Sequence, residues 1–384
     1  MRKKIKKIKY NFLENHMYGM RSFLYAKNYV RFMLKKKIKK VLFRRNNSQN
    51  KICYPTILQL PITNACNLDC VMCNIHANKK KNINIEDFND LVVNASVMKN
   101  IEAVGINGGE PFLLNNIEEY VKCLIHLPKI KKIYIISNGY FTERIIEKTK
   151  KIKDICKNNN IEFTISFSLD GVGKIHDLVR KQEGCFDNLM KTINFIKKEQ
   201  DLYCDKLNFI CTISKYNVEY LLELDMFCRK NELMINYNIA TEHERLKNHD
   251  KYGEYSILSD RRSTLLAAEF FYQKFRETNL NKYYALFMYL RDNVHYRYCG
   301  CQYLHDAITI TPEGNICYCA TRSKEIGNIY SDNIEQVYFS NAEYNNQIKE
   351  EYCIHCSHYI VDLVGDAENK LLNERLINYR SAWR

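Results

Sequence analysis

From Ile57 onward, short apolar runs alternate with stretches whose apolar residues recur at helical spacing. The runs Ile57–Thr63, Ala103–Asn107, Lys132–Ser137, Glu162–Leu169, Lys206–Ser214 and Met234–Ala240 read as strands. Ile85, Phe88, Leu91, Val92 and Ala95 share one helix face, and Ile117, Tyr120, Val121 and Leu124 share another. Strand and helix alternating at this spacing imply βα units and a parallel sheet. Six units fall short of the usual eight-stranded closure, so the pattern predicts an α/β fold, a partial (β/α)6 TIM-like barrel. Ligand groups are then expected at the C-terminal ends of the strands.

The pattern changes near residue 298. Ala307–Thr311, Pro312-Glu313-Gly314-Asn315 and Ile316–Cys319 read as a hairpin whose turn is supplied by Pro and Gly. The organisation expected is an amphipathic arm over 1–50, the barrel over 51–280, a small cysteine-bearing α+β domain over 281–365, and a helical tail over 366–384.

Charge sharpens this division. The net charge of +14 looks like a nucleic-acid signal, yet residues 1–50 hold 16 Lys/Arg against the single acid Glu14, which leaves the remainder at −1. The body is neutral and only the arm is basic, so a uniformly basic binding face and a nucleic-acid partner are not expected. No apolar core with a small-residue cleavage site follows the charged start, and no stretch of about 18 uncharged apolar residues occurs. A cytoplasmic, reducing location is therefore expected, where the 16 cysteines serve as thiols and ligands rather than as disulfides.

The densest chemistry is Cys66-Asn-Leu-Asp-Cys70-Val-Met-Cys73, directly after the first strand. Three thiolates on one loop can each bind one iron of a four-iron, four-sulfur cube, leaving the fourth iron open to a small chelating molecule. The competing reading is a zinc knuckle with His76 as fourth ligand.

This loop closely resembles that of the radical S-adenosylmethionine (radical SAM) superfamily, and later segments fall in that family's order. Gly108-Gly109-Glu110-Pro111 ends the second strand and matches the family's GGE motif, which binds the cofactor's amino group. Two glycines let backbone approach a ligand, and Glu110 can accept from an ammonium. Ser137-Asn138-Gly139 and Ser168-Leu169-Asp170-Gly171 close the third and fourth strands. They resemble sites where polar side chains, here Asn138, Ser168 and Asp170, meet the cofactor's ribose or carboxylate. His176-Asp177 and Arg180, then Gly184-Cys185-Phe186, follow as in the subfamily that carries an extra cluster domain, and Arg180 joins the cofactor-binding set. Read locally, the same segments are strand-end turns and a helix N-cap. One departure is Met72, where the family usually has an aromatic residue before the last cysteine.

A second constellation holds Cys299, Cys301, Cys317, Cys319, Cys353 and Cys356. It resembles the SPASM/twitch domain, which wraps a hairpin around a fully ligated auxiliary [4Fe-4S] cluster. The resemblance implies Cys301, Cys319, Cys353 and Cys356 as ligands, with Cys319 favoured because the family's ligand lies five positions after the hairpin glycine, here Gly314. No cysteine follows Cys356, which points to the one-cluster form. Four cysteines around zinc are the alternative. The other cysteines, such as Cys156 and Cys211, read as small apolar core residues.

The resemblance implies reductive cleavage of S-adenosylmethionine to a 5′-deoxyadenosyl radical, hydrogen abstraction from a C–H bond, and oxidation of the substrate radical through the auxiliary cluster. An electron donor such as flavodoxin or ferredoxin is implied. A base would take the departing proton, and Glu242, His243 and Asp306 are the candidates. Relatives of this architecture oxidise sugar or cyclitol alcohols, or modify peptides, so a small-molecule, glycan or peptide substrate is expected. Residues 1–45 mix lysines and arginines with Phe12, Leu13, Phe23, Leu24, Phe32 and Met33, which suits an interfacial helix on an anionic membrane and a lipid-linked glycan substrate. A solvated helix packed on the barrel is the competing reading of the arm, and a zinc-stabilised binding protein is the non-enzymatic one.

Overall fold

The computed structural model describes residues 52–291, 295, 297 and 306–358. The readings of the arm, of the tail, and of Cys299 and Cys301 fall outside the described residues.

Six βα units are present. The strands are β1 (Ile57–Thr63), β2 (Ala103–Gly108), β3 (Lys132–Ser137), β4 (Glu162–Ser168), β5 (Lys206–Ile213) and β6 (Ile235–Ile239). The connecting helices are α1 (Ile85–Asn94), α2 (Ile117–Leu124), α3 (Thr142–Asn158), α4 (Lys174–Arg180), α5 (Cys185–Lys198) and α6 (Leu221–Lys230). Helices α7 (Arg261–Thr278) and α8 (Asn281–Arg291) follow β6. Then come β7 (Ala307–Ile310), β8 (Asn315–Cys317), β9 (Gly327–Asn328), α9 (Ile334–Ser340) and α10 (Ala342–Glu351). Among the described residues, no helix is long and apolar enough to cross a membrane.

The strands form one sheet in the order β6-β5-β4-β3-β2-β1-β7-β8-β9, with β1 to β6 all parallel. This is the expected partial barrel, open between β6 and the far edge. The cysteine-bearing hairpin is not a detached layer: β7 runs parallel to β1, with Ile57 opposite Ala307, and β8 and β9 turn back antiparallel.

Local chemistry explains the element boundaries. Asn84 caps α1 by accepting from the N–H groups of Glu86 and Asp87. Pro61 cannot donate to a ladder, and it sits where β1 has already left β7 and its register with β2 shifts. Fully buried Leu58, Leu60, Ile106, Ile133, Phe163, Ile165 and Phe167 fill the core, as strands covered on both faces require. Each such side chain contributes about 1.5–3 kcal/mol.

Candidate active site

The cysteine loop leaves the C-terminal end of β1 and is shaped by backbone bonds. Cys73 N–H donates to Cys70 O at 2.9 Å, and Val71 N–H donates to Val179 O at 3.0 Å. Leu68 N–H points at Cys66 Sγ, 3.5 Å away. His76 Nε2 bonds the carbonyl of Leu68 at 2.8 Å, which ties the ring to the loop's own backbone. Among the described residues, no three His, Cys, Asp or Glu side chains close around one point as ligands of a single ion would. The thiolates of a cube bind separate irons and stand further apart.

The glycines at the end of β2 serve this loop first. Gly109 N–H donates to Thr63 O and Glu110 N–H to Ala65 O, both at 2.8 Å. A Cβ on Gly109 would lie 2.1 Å from Ala65 O and 3.1 Å from Cys66 Cβ. Gly108 has φ +143°, and a Cβ there would lie 2.4 Å from Thr63 O. Close approach is indeed the reason for glycine, and what approaches is the backbone that carries Cys66.

Glu110 is also taken up internally. It is buried, with Oε1 accepting from Phe112 N–H at 3.1 Å and Ser137 Oγ at 2.9 Å, and Oε2 from Asn138 N–H at 2.7 Å. Burial pushes its carboxyl up to about 7 against these donors. Asn138 Nδ2 in turn donates to Asn67 Oδ1 at 2.9 Å, so the end of β3 braces the cysteine loop. Ser168 lies half-buried at the end of β4.

Asp170 and Arg180 lie behind the cysteines. Asp170 Oδ2 meets Arg180 Nη2 at 2.5 Å, and Oδ1 accepts from Thr212 N–H at 2.7 Å. Arg180 Nη1 reaches Cys70 Sγ at 3.6 Å. Asp177 accepts from Gly184 N–H at 2.9 Å and Phe186 N–H at 2.8 Å, which makes it the cap at the start of α5. Around this assembly Leu68, Val71, Met72, Val179, Ala240 and Tyr255 form an apolar shell separate from the barrel core. Burial pushes Cys66 up to about 12 and Cys73 up to about 11, with the neighbouring thiols adding to the effect.

The loop after β6, which carries the candidate bases Glu242 and His243, also adds Asn248 and Arg245, which were not anticipated. Asn248 Nδ2 donates to Met72 O at 2.8 Å and Thr241 O at 3.1 Å, joining this loop to the cysteines. The Arg245 guanidinium has buried Nε and Nη1 atoms without hydrogen-bond partners, and its charge is felt by Cys73. A lone Asn and Arg in a charged segment offer no periodicity or motif by which to single them out. Buried guanidinium nitrogens without a partner, Nε of Arg180 included, suit a group that carries negative charge. A four-iron cube held by three thiolates is such a group, so the residues present fit it.

The candidate bases separate. Glu242 Oε1 pairs with His249 Nδ1 at 2.8 Å and its Oε2 with Arg322; despite partial burial, these partners hold its carboxyl below the usual range. It lines a cavity of about 120 Å³ with Thr241, Tyr252, Tyr289, Arg322 and Cys356. His243 is buried, and burial together with Arg245 holds it neutral, far below the usual histidine range. Asp306 is a correction. Its Oδ2 accepts from Thr56 Oγ1 at 2.7 Å and its carbonyl accepts from Thr56 N–H, at the N-terminal end of β1. That is roughly 20 Å along the strand from the cysteine loop. It pins β7 to β1, at the end of the strand away from the cysteine loop.

Of the second cysteine group, Cys356 has its thiol pushed up by burial, with Arg297 opposing and Cys319 adding to the shift. Cys319 Sγ sits 2.9 Å from Thr321 Oγ1, and Cys356 Sγ accepts from His358 N–H at 3.4 Å. Cys317 is buried on β8, and Cys353 opens the turn before Cys356.

Comparison with known proteins bears on the whole arrangement. Residues 60–228 match the model of the radical SAM superfamily. The chain carries a radical SAM domain. This domain implies S-adenosylmethionine and the [4Fe-4S] cluster that binds it. The chain is similar to the probable GTP 3′,8-cyclase of Methanocaldococcus jannaschii, 27% identical over 45% of this chain and 54% of that protein. It thus spans about half the length of that curated relative. In fold it is similar to Streptococcus suis SuiB bound to the precursor peptide SuiA, with TM-score 0.54, 19% identity, and 83% of this chain and 79% of that one covered. It is also similar to anSMEcpe with bound S-adenosylmethionine and the Kp18Cys peptide, with TM-score 0.56, 16% identity, and 85% and 99% covered.

Proposed function

We propose that the chain is a radical SAM enzyme that holds its catalytic cluster on Cys66, Cys70 and Cys73 and oxidises a substrate seated between the loop after β6 and the second cysteine group. The observation that carries this reading is the three-thiol loop laid across Gly108 and Gly109, in an apolar shell with two buried guanidinium groups. When bound, the reduced cluster supplies the electron that cleaves S-adenosylmethionine to a radical able to take hydrogen from an unactivated C–H bond. The protein's part is to hold the loop, exclude water and position the substrate. Glu110 and Asn138 brace the loop, and Asn248 fastens the β6 loop over it. Glu242, ionised and at the cavity wall, is the group placed to accept a proton from an oxidised alcohol or thiol. Cys319, Cys353 and Cys356 with Cys301 are the proposed ligands of an auxiliary cluster, which would supply an acceptor for the second electron; the position of Cys319 five residues after Gly314 supports this choice over Cys317.

For the substrate, a peptide is favoured over a sugar or cyclitol alcohol by one observation: both fold neighbours described above were solved with peptides bound. A lipid-linked glycan approached through the basic arm is the second reading, supported by the charge of residues 1–50. Electrons would come from a flavodoxin or ferredoxin.

The test is anaerobic reconstitution followed by iron and sulfide analysis and incubation with S-adenosylmethionine and reductant. About eight irons per chain with 5′-deoxyadenosine formed is the expected result. Loss of half the iron and all cleavage on changing Cys66, Cys70 and Cys73 to Ala assigns the catalytic cluster. About four irons in the unaltered protein removes the auxiliary cluster. Zinc without iron overturns the enzyme reading.

A further inference from the structure

Arg180 stands at the end of α4 with its guanidinium shared between two buried groups. Nη2 pairs with Asp170 Oδ2 at 2.5 Å, while Nη1 points at Cys70 Sγ, 3.6 Å away. Asp170 cannot follow the guanidinium if it moves. Its Oδ1 accepts from Thr212 N–H, its own N–H donates to His176 Nδ1 at 3.1 Å, and its carbonyl accepts from Asn217 Nδ2 at 2.9 Å. His176 Nδ1 is therefore the unprotonated ring nitrogen, and Nε2–H faces Cys185 Sγ at 3.6 Å. The pair is 8% and 1% exposed, so bulk water does little to screen it. What reaches the sulfur is the share of the guanidinium charge that the carboxylate leaves uncompensated.

Taking Cys70 as a cluster ligand, as proposed above, we infer that Arg180 and Asp170 act as opposed tuning residues for the electron affinity of the cysteine-held cluster. A hydrogen bond and a positive charge at a ligating sulfur stabilise the form that holds the extra electron. A carboxylate behind the donor withdraws part of that stabilisation. The two residues thus act through Cys70, and removing them shifts the cluster in opposite directions. A role limited to holding the fold gives no reason for opposite signs.

The experiment is an EPR-monitored redox titration of the reconstituted full-length protein. The signal followed is the one that changes when S-adenosylmethionine is added, which separates it from any second cluster. Arg180→Gln is expected to make reduction harder by about tenfold in the one-electron equilibrium, which is about 59 mV toward lower potential. Asp170→Asn is expected to move the potential upward, and Arg180→Lys, which keeps the charge, to recover part of the loss. Unchanged potentials, or both neutralising variants shifting the same way with the cluster intact, overturn the inference. If Arg180→Gln does not retain iron, Asp170→Asn decides alone: an unchanged or lower potential overturns the inference. Failure of the parent reading looks different, because the S-adenosylmethionine-sensitive signal would then survive Cys70→Ala.

Discussion

Changing Gly109 to Ala tests the claim that this glycine is demanded by the protein's own loop. The added Cβ would stand 2.1 Å from Ala65 O, where ordinary contact begins at 3.4 Å, so the loop must recede by about 1.3 Å. The obstacle is backbone, which cannot swing aside as a side-chain tip does. Receding strains two short bonds, Gly109 N–H to Thr63 O and Glu110 N–H to Ala65 O, each 2.8 Å. Overpacking of this kind costs about 1–3 kcal/mol, and each weakened bond adds roughly 0.5–1.5 kcal/mol. The barrel core is untouched, so urea unfolding should report a folded protein destabilised by several kcal/mol. The cysteine loop takes the displacement, and after anaerobic reconstitution the variant should lose about half its iron and nearly all 5′-deoxyadenosine formation. Wild-type iron content and turnover in a stably folded Gly109→Ala protein would refute the reasoning. Gly109 would then face open space rather than the Cys66 loop.

Other expectations follow from the same contacts. Glu110 has a folded-state value of about 7 against an ordinary 4.5, so the folded protein binds its proton more tightly than the unfolded chain does. Stability from this group is therefore full below pH 4.5 and declines as pH rises toward 7, by on the order of 3 kcal/mol; urea melts of the metal-free protein should show that slope and Glu110→Gln should lack it. Asp225 accepts from Lys274 Nζ at 2.7 Å, Tyr237 Oη at 2.9 Å and Arg229 Nε at 2.8 Å. Asp225→Ala leaves the mostly buried Lys274 ammonium only Glu277, 3.6 Å away, and should lower stability to urea by at most about 3–5 kcal/mol without changing cofactor cleavage. Arg322→Ala removes one of the two partners that hold Glu242 low, so the acid limb of product formation should move to higher pH while 5′-deoxyadenosine yield stays level. A limb that does not move would take Glu242 out of the proton transfer.

Each reading went as far as the range of the physics behind it. The six barrel strands were legible because each is a short apolar run bounded by turn residues, and a strand covered on both faces leaves that signature locally. Cys66, Cys70 and Cys73 were legible because one loop must carry all three, so their spacing is itself the geometry. The parallel pairing of β7 with β1 left no such mark. It joins Ile57 to Ala307 across most of the chain, and it is this pairing that carries Asp306 to Thr56, away from the cysteines. Glu110 shows a related limit. The motif identifies a carboxylate at the end of β2, but only the fold reveals that Ser137, Asn138 and Phe112 use its oxygens to lock the cysteine loop. Arg245 and Asn248 were invisible for a third reason: their places depend on how the β6 loop folds back over Met72, and a charged loop reads as solvated until something buries it. Burial is also what makes them matter. A guanidinium in water is indifferent to its neighbours, whereas one with two unpartnered nitrogens beside Cys73 gives this end of the barrel a preference for negative charge.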